Sequence, residues 1–98
     1  MNQVSNVVIY YKKDKDEGTE QAVLRVNELI QSLETHHTVK GVFVDLYNES
    51  TELMDLLNSP LSEIDIIYIN KPVDNEFDNE LIYQLSRTEQ FEIILMKI

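Results

Sequence analysis

The 98 residues carry a formal charge of −10, eight Lys and Arg against eighteen Asp and Glu, with 43% apolar residues and no cysteine. This length fits one domain with a modest core, and the charge repels phosphate backbones, which argues against autonomous nucleic-acid binding. Without cysteine there is no disulfide framework, thiol nucleophile or Cys-ligated zinc site. No apolar run approaches the ~20 residues of a membrane span, and Met1-Asn2-Gln3 lacks the basic start of a signal peptide, so a cytoplasmic protein with no membrane partner is expected.

Val4 to Tyr11 (VSNVVIYY) reads as a strand, β-branched and aromatic without polar alternation, and so as a central one covered on both faces. Lys12 to Gly18 is nearly all charged and forms a solvated loop, after which Thr19 is suited to cap a helix. From Thr19 to about Glu34, Ala22, Val23, Val26, Leu29, Ile30 and Leu33 recur at three- and four-residue spacings and mark one helical stripe. His36-His37-Thr38 ends that helix. Val39 to Leu46 (VKGVFVDL) supplies a second, more polar strand. Leu53, Met54, Leu56 and Leu57 make a short helix that Asn58-Ser59-Pro60 stops. Ile64 to Asn70 (IDIIYIN) is a third strand, Phe77, Leu81, Ile82 and Leu85 mark a third helix ending near Thr88, and Phe91 to Met96 (FEIILM) is a fourth strand.

The order βαβαβαβ, with connections too long for hairpins, predicts one α/β domain over residues 1–98. The expected architecture is flavodoxin-like and doubly wound: a mostly parallel four-stranded sheet of order 2-1-3-4 with three helices, the first on one face and the second and third on the other. One helix of ~10 Å diameter shields only about two strands spaced ~4.8 Å apart. Strands three and four are therefore expected to lie bare beside the first helix, and the fourth strand to be an open edge. Ile93, Leu95 and Met96 are the candidate interface residues, and self-association or a protein partner is expected.

Several segments resemble the N-terminal catalytic domain of the serine recombinases, the resolvases and invertases. Ile9-Tyr10-Tyr11-Lys12-Lys13-Asp14 is similar to their first strand with its I-Y-x-R-x-S ending. Val42-Phe43-Val44-Asp45 is similar to the second strand and Ile64 to Lys71 to the third. In that family a serine attacks a DNA phosphate and arginines stabilise the developing charge. Here Lys12 stands in the arginine's place and Asp14 in the serine's. The D-R-x-x-R segment reads Pro72-Val73-Asp74-Asn75-Glu76-Phe77, and the S-G motif is reduced to Tyr47-Asn48-Glu49-Ser50. The resemblance implies a resolvase-like scaffold without the recombinase chemistry.

A second resemblance is to two-component receiver domains, whose phosphorylated aspartate would fall at Asn70, an amide unable to form an acyl phosphate. Their acidic pair would fall at Asp14 and Asp16, and their lysine after the fourth strand at Lys97. Asp14-x-Asp16-x-Gly18-Thr19 also resembles the D-x-D-x-[GT] start of haloacid-dehalogenase-type phosphatases, which use two carboxylates with Mg²⁺. Those enzymes need later motifs that 98 residues do not hold.

Asp14, Asp16, Glu17 and Asp45 all fall near carboxyl ends of the first two strands, where open α/β sheets place ligands. As oxygen donors, Asp14, Asp16 and Asp45 are the weak candidates for a Mg²⁺ site; an ordinary charged rim is the alternative. His36 and His37 are adjacent, point about 100° apart on a helix and read as a pair at a helix C-terminus. No nucleophile-and-base set emerges, so no catalytic residue and no cofactor is assigned. The expectation is a non-catalytic, acidic, resolvase-like module acting through protein interaction or as an oligomer. The alternatives are a Mg²⁺-dependent phosphate-handling enzyme using the acidic loop and an acidic DNA-mimic-type inhibitor.

Overall fold

Five consecutive residues, Val7-Val8-Ile9-Tyr10-Tyr11, are each at most 3% exposed, and they place the first strand at the centre of the molecule. The structure, a computed structural model, describes residues 4–96; the Met1-Asn2-Gln3 start and Lys97 lie outside the described residues. In chain order the elements are β1 (Ser5–Lys12), α1 (Thr19–Glu34), β2 (His37–Asp45), α2 (Thr51–Leu57), β3 (Ile66–Ile69), α3 (Glu76–Glu89) and β4 (Glu92–Leu95). A single 3₁₀ turn, Leu61–Glu63, precedes β3. All pairings are parallel and the sheet order is β2-β1-β3-β4, the α/β arrangement expected from the sequence.

The main core lies between the sheet and α2 and α3, where Val8, Tyr10, Ile67 and Ile69 meet Leu53, Leu56, Leu57 and Ile82. Burying each such aliphatic side chain contributes about 1.5–3 kcal/mol before conformational entropy is subtracted, so this layer dominates the stability. On the other face α1 sets Ala22 and Val26 against Tyr11, with Leu29, Ile30 and Val42 around them. That second core is much smaller. The helix packs toward β2, so its stripe meets the β1–β2 half of the sheet.

Register in β2 is set by a bulge. Val7 pairs with Val39 but Val8 pairs with Gly41, leaving Lys40 as the extra residue. Because side chains alternate across a strand, this one-residue shift turns Phe43 and Asp45 to the α2–α3 face and Val42 and Val44 to the α1 face. Without it the assignments would be reversed.

Four local expectations are corrected. Gly18, not Thr19, is the N-cap of α1: Ala22 N bonds Gly18 O at 3.1 Å and Gln21 Oε1 accepts from Gly18 N at 3.2 Å. The Thr19 hydroxyl instead accepts from Lys13 Nζ at 3.3 Å. His37 belongs to the start of β2 rather than to a helix end, and its ring is tilted against Tyr68 with centroids 6.0 Å apart. Ile64 falls outside β3 because Ile64 N closes the 3₁₀ turn onto Leu61 O at 3.0 Å, which buries the side chain ahead of the strand. Phe91 is likewise a core residue before β4 rather than its first member.

Candidate functional site

The parallel order sends the chain from β1 outward to β2 and, later, back across to β3, so the loops part at the carboxyl ends of β1 and β3. Ligands of open α/β sheets sit at such a switch point. A crevice of about 490 Å³ opens there, lined by Tyr11, Asp14, Arg25, Asn70 and Lys71 with an apolar wall of Pro72, Leu95 and Met96.

Two side chains fix the segments around it, Asn70 from its wall and Glu17 from the loop beside it. Asn70, directly after β3, accepts from Lys12 N at 2.8 Å through Oδ1 and donates Nδ2 to Lys12 O at 2.9 Å. The amide thus extends the β1–β3 ladder by one rung with a side chain in place of a peptide. Glu17 organises the β1–α1 loop: Oε1 accepts from Asp14 N at 2.9 Å, while Oε2 accepts the Tyr11 hydroxyl and Arg25 Nη1, the latter at 3.1 Å. Its side chain is 3% exposed. Burial, followed by the hydrogen bond to Glu17, pushes the Tyr11 hydroxyl above its ordinary pKa. The hydrogen bond to Tyr11 in turn raises that of Arg25.

Lys71 reaches across the crevice mouth to Asp14 Oδ1, and its hydrogen bond and charge hold the Asp14 carboxyl below the usual carboxylate range. That side chain is 62% exposed, so the pair is weakly coupled to folding. The two ion pairs of the loop thus differ in kind, Glu17 with Arg25 being enclosed and Asp14 with Lys71 open to solvent.

The candidate metal ligands are not brought together. Asp14 faces Lys71, Asp16 is exposed, and Asp45 is turned inward, 1% exposed, to accept from Tyr10 Oη at 2.7 Å and from the backbone of Glu52 and Leu53. Among the described residues no group of three or more His, Asp or Glu side chains is placed to hold a metal ion. His36 is exposed and separate from His37, whose Nδ1 is buried without a hydrogen-bond partner among the described residues.

The candidate interface residues divide between the two faces of β4. Ile93 packs against the core beneath α3, Leu95 is 47% exposed at the sheet edge, and Met96 is half-buried beside the crevice. Alternation places Ile94 on the α1 face, level with Tyr68 and Ile9. Ile9 is fully buried, whereas Tyr68, Ile94 and Ile66 are half-buried. Tyr68 reaches back over β1 to within 3.4 Å of His37 Nε2, and the register puts the fully buried Val7 beneath the pair. This face is therefore closed along β1 and partly open along β3 and β4.

The sequence did not single out Arg25, Lys71 or the bonding role of Asn70, because each depends on two loops meeting. The spacing Lys13-x₃-Glu17-x₇-Arg25 is compatible with many loop geometries, and nothing local selects this one. No protein-family model, no curated protein and no solved structure matches the chain. Among the described residues no helix is long and apolar enough to cross a membrane.

Proposed function

We propose that this chain is a cytoplasmic, non-catalytic interaction module that receives an extended segment of a basic protein partner along β4 and the adjoining sheet face. The observation that carries this reading is the lean of α1 toward β2, which leaves Ile66, Tyr68 and Ile94 half-bare next to an edge strand. Unpaired backbone groups on such an edge accept a further strand, with side-chain pockets on either face providing selectivity. The charge chooses the occupant. Two copies would bring together two bodies of −10, whereas a cationic segment is attracted. Exposed Glu92 on β4 adds an acidic group at the same edge.

The resemblance to serine recombinases fits a scaffold kept without its chemistry. Asp14, in the place of the nucleophilic serine, is tied to Lys71, and Lys12 stands where the family has arginine. The test combines sedimentation of the purified chain with capture from its native host. At about 100 μM the chain alone should remain monomeric. Capture should retain one partner that is released by about 0.5 M salt and by Ile94→Lys, and is kept by Asp16→Asn. Stable self-association would replace the basic partner by a second copy, and retention indifferent to Ile94→Lys would overturn the docking surface.

A further inference from the structure

We propose that the crevice at the carboxyl ends of β1 and β3 binds a small phosphate monoester, its phosphate between Arg25 and Lys71 and its organic body against Pro72, Leu95 and Met96. Position, size and charge each support the assignment. The crevice lies at the topological switch point, and its 490 Å³ falls within the roughly 300–1,000 Å³ of small-molecule pockets. The crevice wall carries two of the chain's eight Lys and Arg, Arg25 and Lys71; Lys12, Lys13 and Lys15, at the end of β1 and in the loop after it, are interleaved with Asp14, Asp16 and Glu17 and add no net charge. A dianion matches the two wall cations once Asp14 gives up Lys71, although the molecule as a whole repels anions.

The existing bonds leave these cations available. Arg25 engages Tyr11 and Glu17 through Nη1, and its other guanidinium nitrogens have no protein partner among the described residues. Its contact with Glu17, 3% exposed, fixes the guanidinium rather than consuming it. Among the described residues Lys71 is held only by Asp14, whose side chain is 62% exposed on a charged loop and is displaced at little cost. The Asp14 carboxylate thus occupies the position of the ligand's anionic group and acts as an internal competitor. Asp16, two residues on in the same loop, is exposed and makes no such contact among the described residues.

Phenyl phosphate is the probe, followed by amide chemical shifts of the purified protein, with phenol and benzoate as the uncharged and carboxylate arms. Shifts should concentrate at Tyr11, Asn70 and Lys71 at millimolar phenyl phosphate. Lys71→Met should weaken binding about tenfold, as expected for a lost charge-assisted hydrogen bond. Asp14→Asn should tighten it by about threefold or more, while Asp16→Asn, which removes the same charge from the same loop, should stay within about twofold. No shift at about 20 mM, equal gains from Asp14→Asn and Asp16→Asn, or phenol binding as well as its phosphate would overturn the site. Equal binding of benzoate would overturn the phosphate assignment. The β4 docking surface is read out by Ile94→Lys, which lies outside this crevice wall, so the two proposals fail separately.

Discussion

The Asp45 carboxylate accepts a hydrogen bond from Tyr10 Oη at 2.7 Å inside the core and caps α2 from a distance, taking Glu52 N at 2.9 Å and Leu53 N at 3.0 Å. It supplies an anion where α2 presents unsatisfied N–H groups, a position that the helix dipole favours. Removing it orphans three donors at once. Asp45→Ala should lower stability by about 3 kcal/mol, and Tyr10→Phe by about 1 kcal/mol because Asp45 keeps its two backbone donors. Urea denaturation of the two variants and their combination measures this. Equal losses for the single variants would mean that the helix contacts carry nothing.

Tyr10 also sets an alkaline limit. Burial first, then the hydrogen bond to Asp45, raises its pKa far above the ordinary tyrosine value. A group whose folded pKa is raised contributes stability that is fully present below its unfolded pKa and is lost as pH rises beyond it. Stability should therefore fall above about pH 10, where the unfolded chain ionises its tyrosines and the folded chain keeps Tyr10 neutral. Tyr11 is shifted the same way, by burial and by Glu17, and adds to the effect. The tyrosinate absorbance of both should appear together with unfolding, and Tyr10→Phe should flatten the decline in stability with pH. An unchanged slope in that variant would remove Tyr10 from the account.

Glu17 is the fastening of the β1–α1 loop, since one carboxylate serves Asp14 N, Tyr11 Oη and Arg25. Glu17→Gln keeps the size and one acceptor but loses the charge that two of the partners face. It should cost about 1–3 kcal/mol and accelerate hydrogen exchange at the Asp14 amide, with the amides of β1 unaffected. Asp16→Asn, on the solvent side of the same loop, should change stability by no more than about 0.5 kcal/mol. Similar losses for both would show that the loop is held by its overall charge rather than by these bonds.

What could be read in advance and what could not separate along physical lines. The uninterrupted apolar run of β1 and the three- and four-residue spacing of α1 are local signals, and combined with the βαβ alternation and right-handed crossovers they lead to the order 2-1-3-4 and to the placement of the helices. The direction of Asp45 was not local. It follows from the bulge at Lys40, which reverses the faces of β2 from Gly41 onward, and the segment VKGVFVDL contains apolar residues at both parities. An expected solvent-facing rim carboxylate thus became a core anchor. The place of His37 in β2 is non-local for a related reason: a polar residue at the end of a helical stripe carries no sign that Tyr68, 31 positions away, will receive it. The Gly18 cap was hidden by Thr19, a better capping residue by type whose hydroxyl is instead taken up by Lys13.

Two readings of the end of β3 part at Asn70. In a receiver-like domain this position would carry the phosphorylated aspartate, whereas here the amide is a structural clip that both accepts from and donates to the Lys12 backbone. Replacing it with aspartate tests which description holds. Asn70→Asp retains an acceptor for Lys12 N, but it removes the donor to Lys12 O and sets a carboxylate oxygen against that carbonyl. The expected result is a loss of about 1–3 kcal/mol in urea denaturation, with faster hydrogen exchange at the Lys12 amide and no hydroxylamine-sensitive phosphate after incubation with acetyl phosphate. The neighbouring Lys71 would gain an opposite charge, which offsets part of the loss at low ionic strength and not at high. A variant as stable as the parent at high salt would show that the β1–β3 ladder does not need the amide rung. A phosphoryl group found on the carboxylate that Asn70→Asp introduces would return the receiver-like reading to consideration.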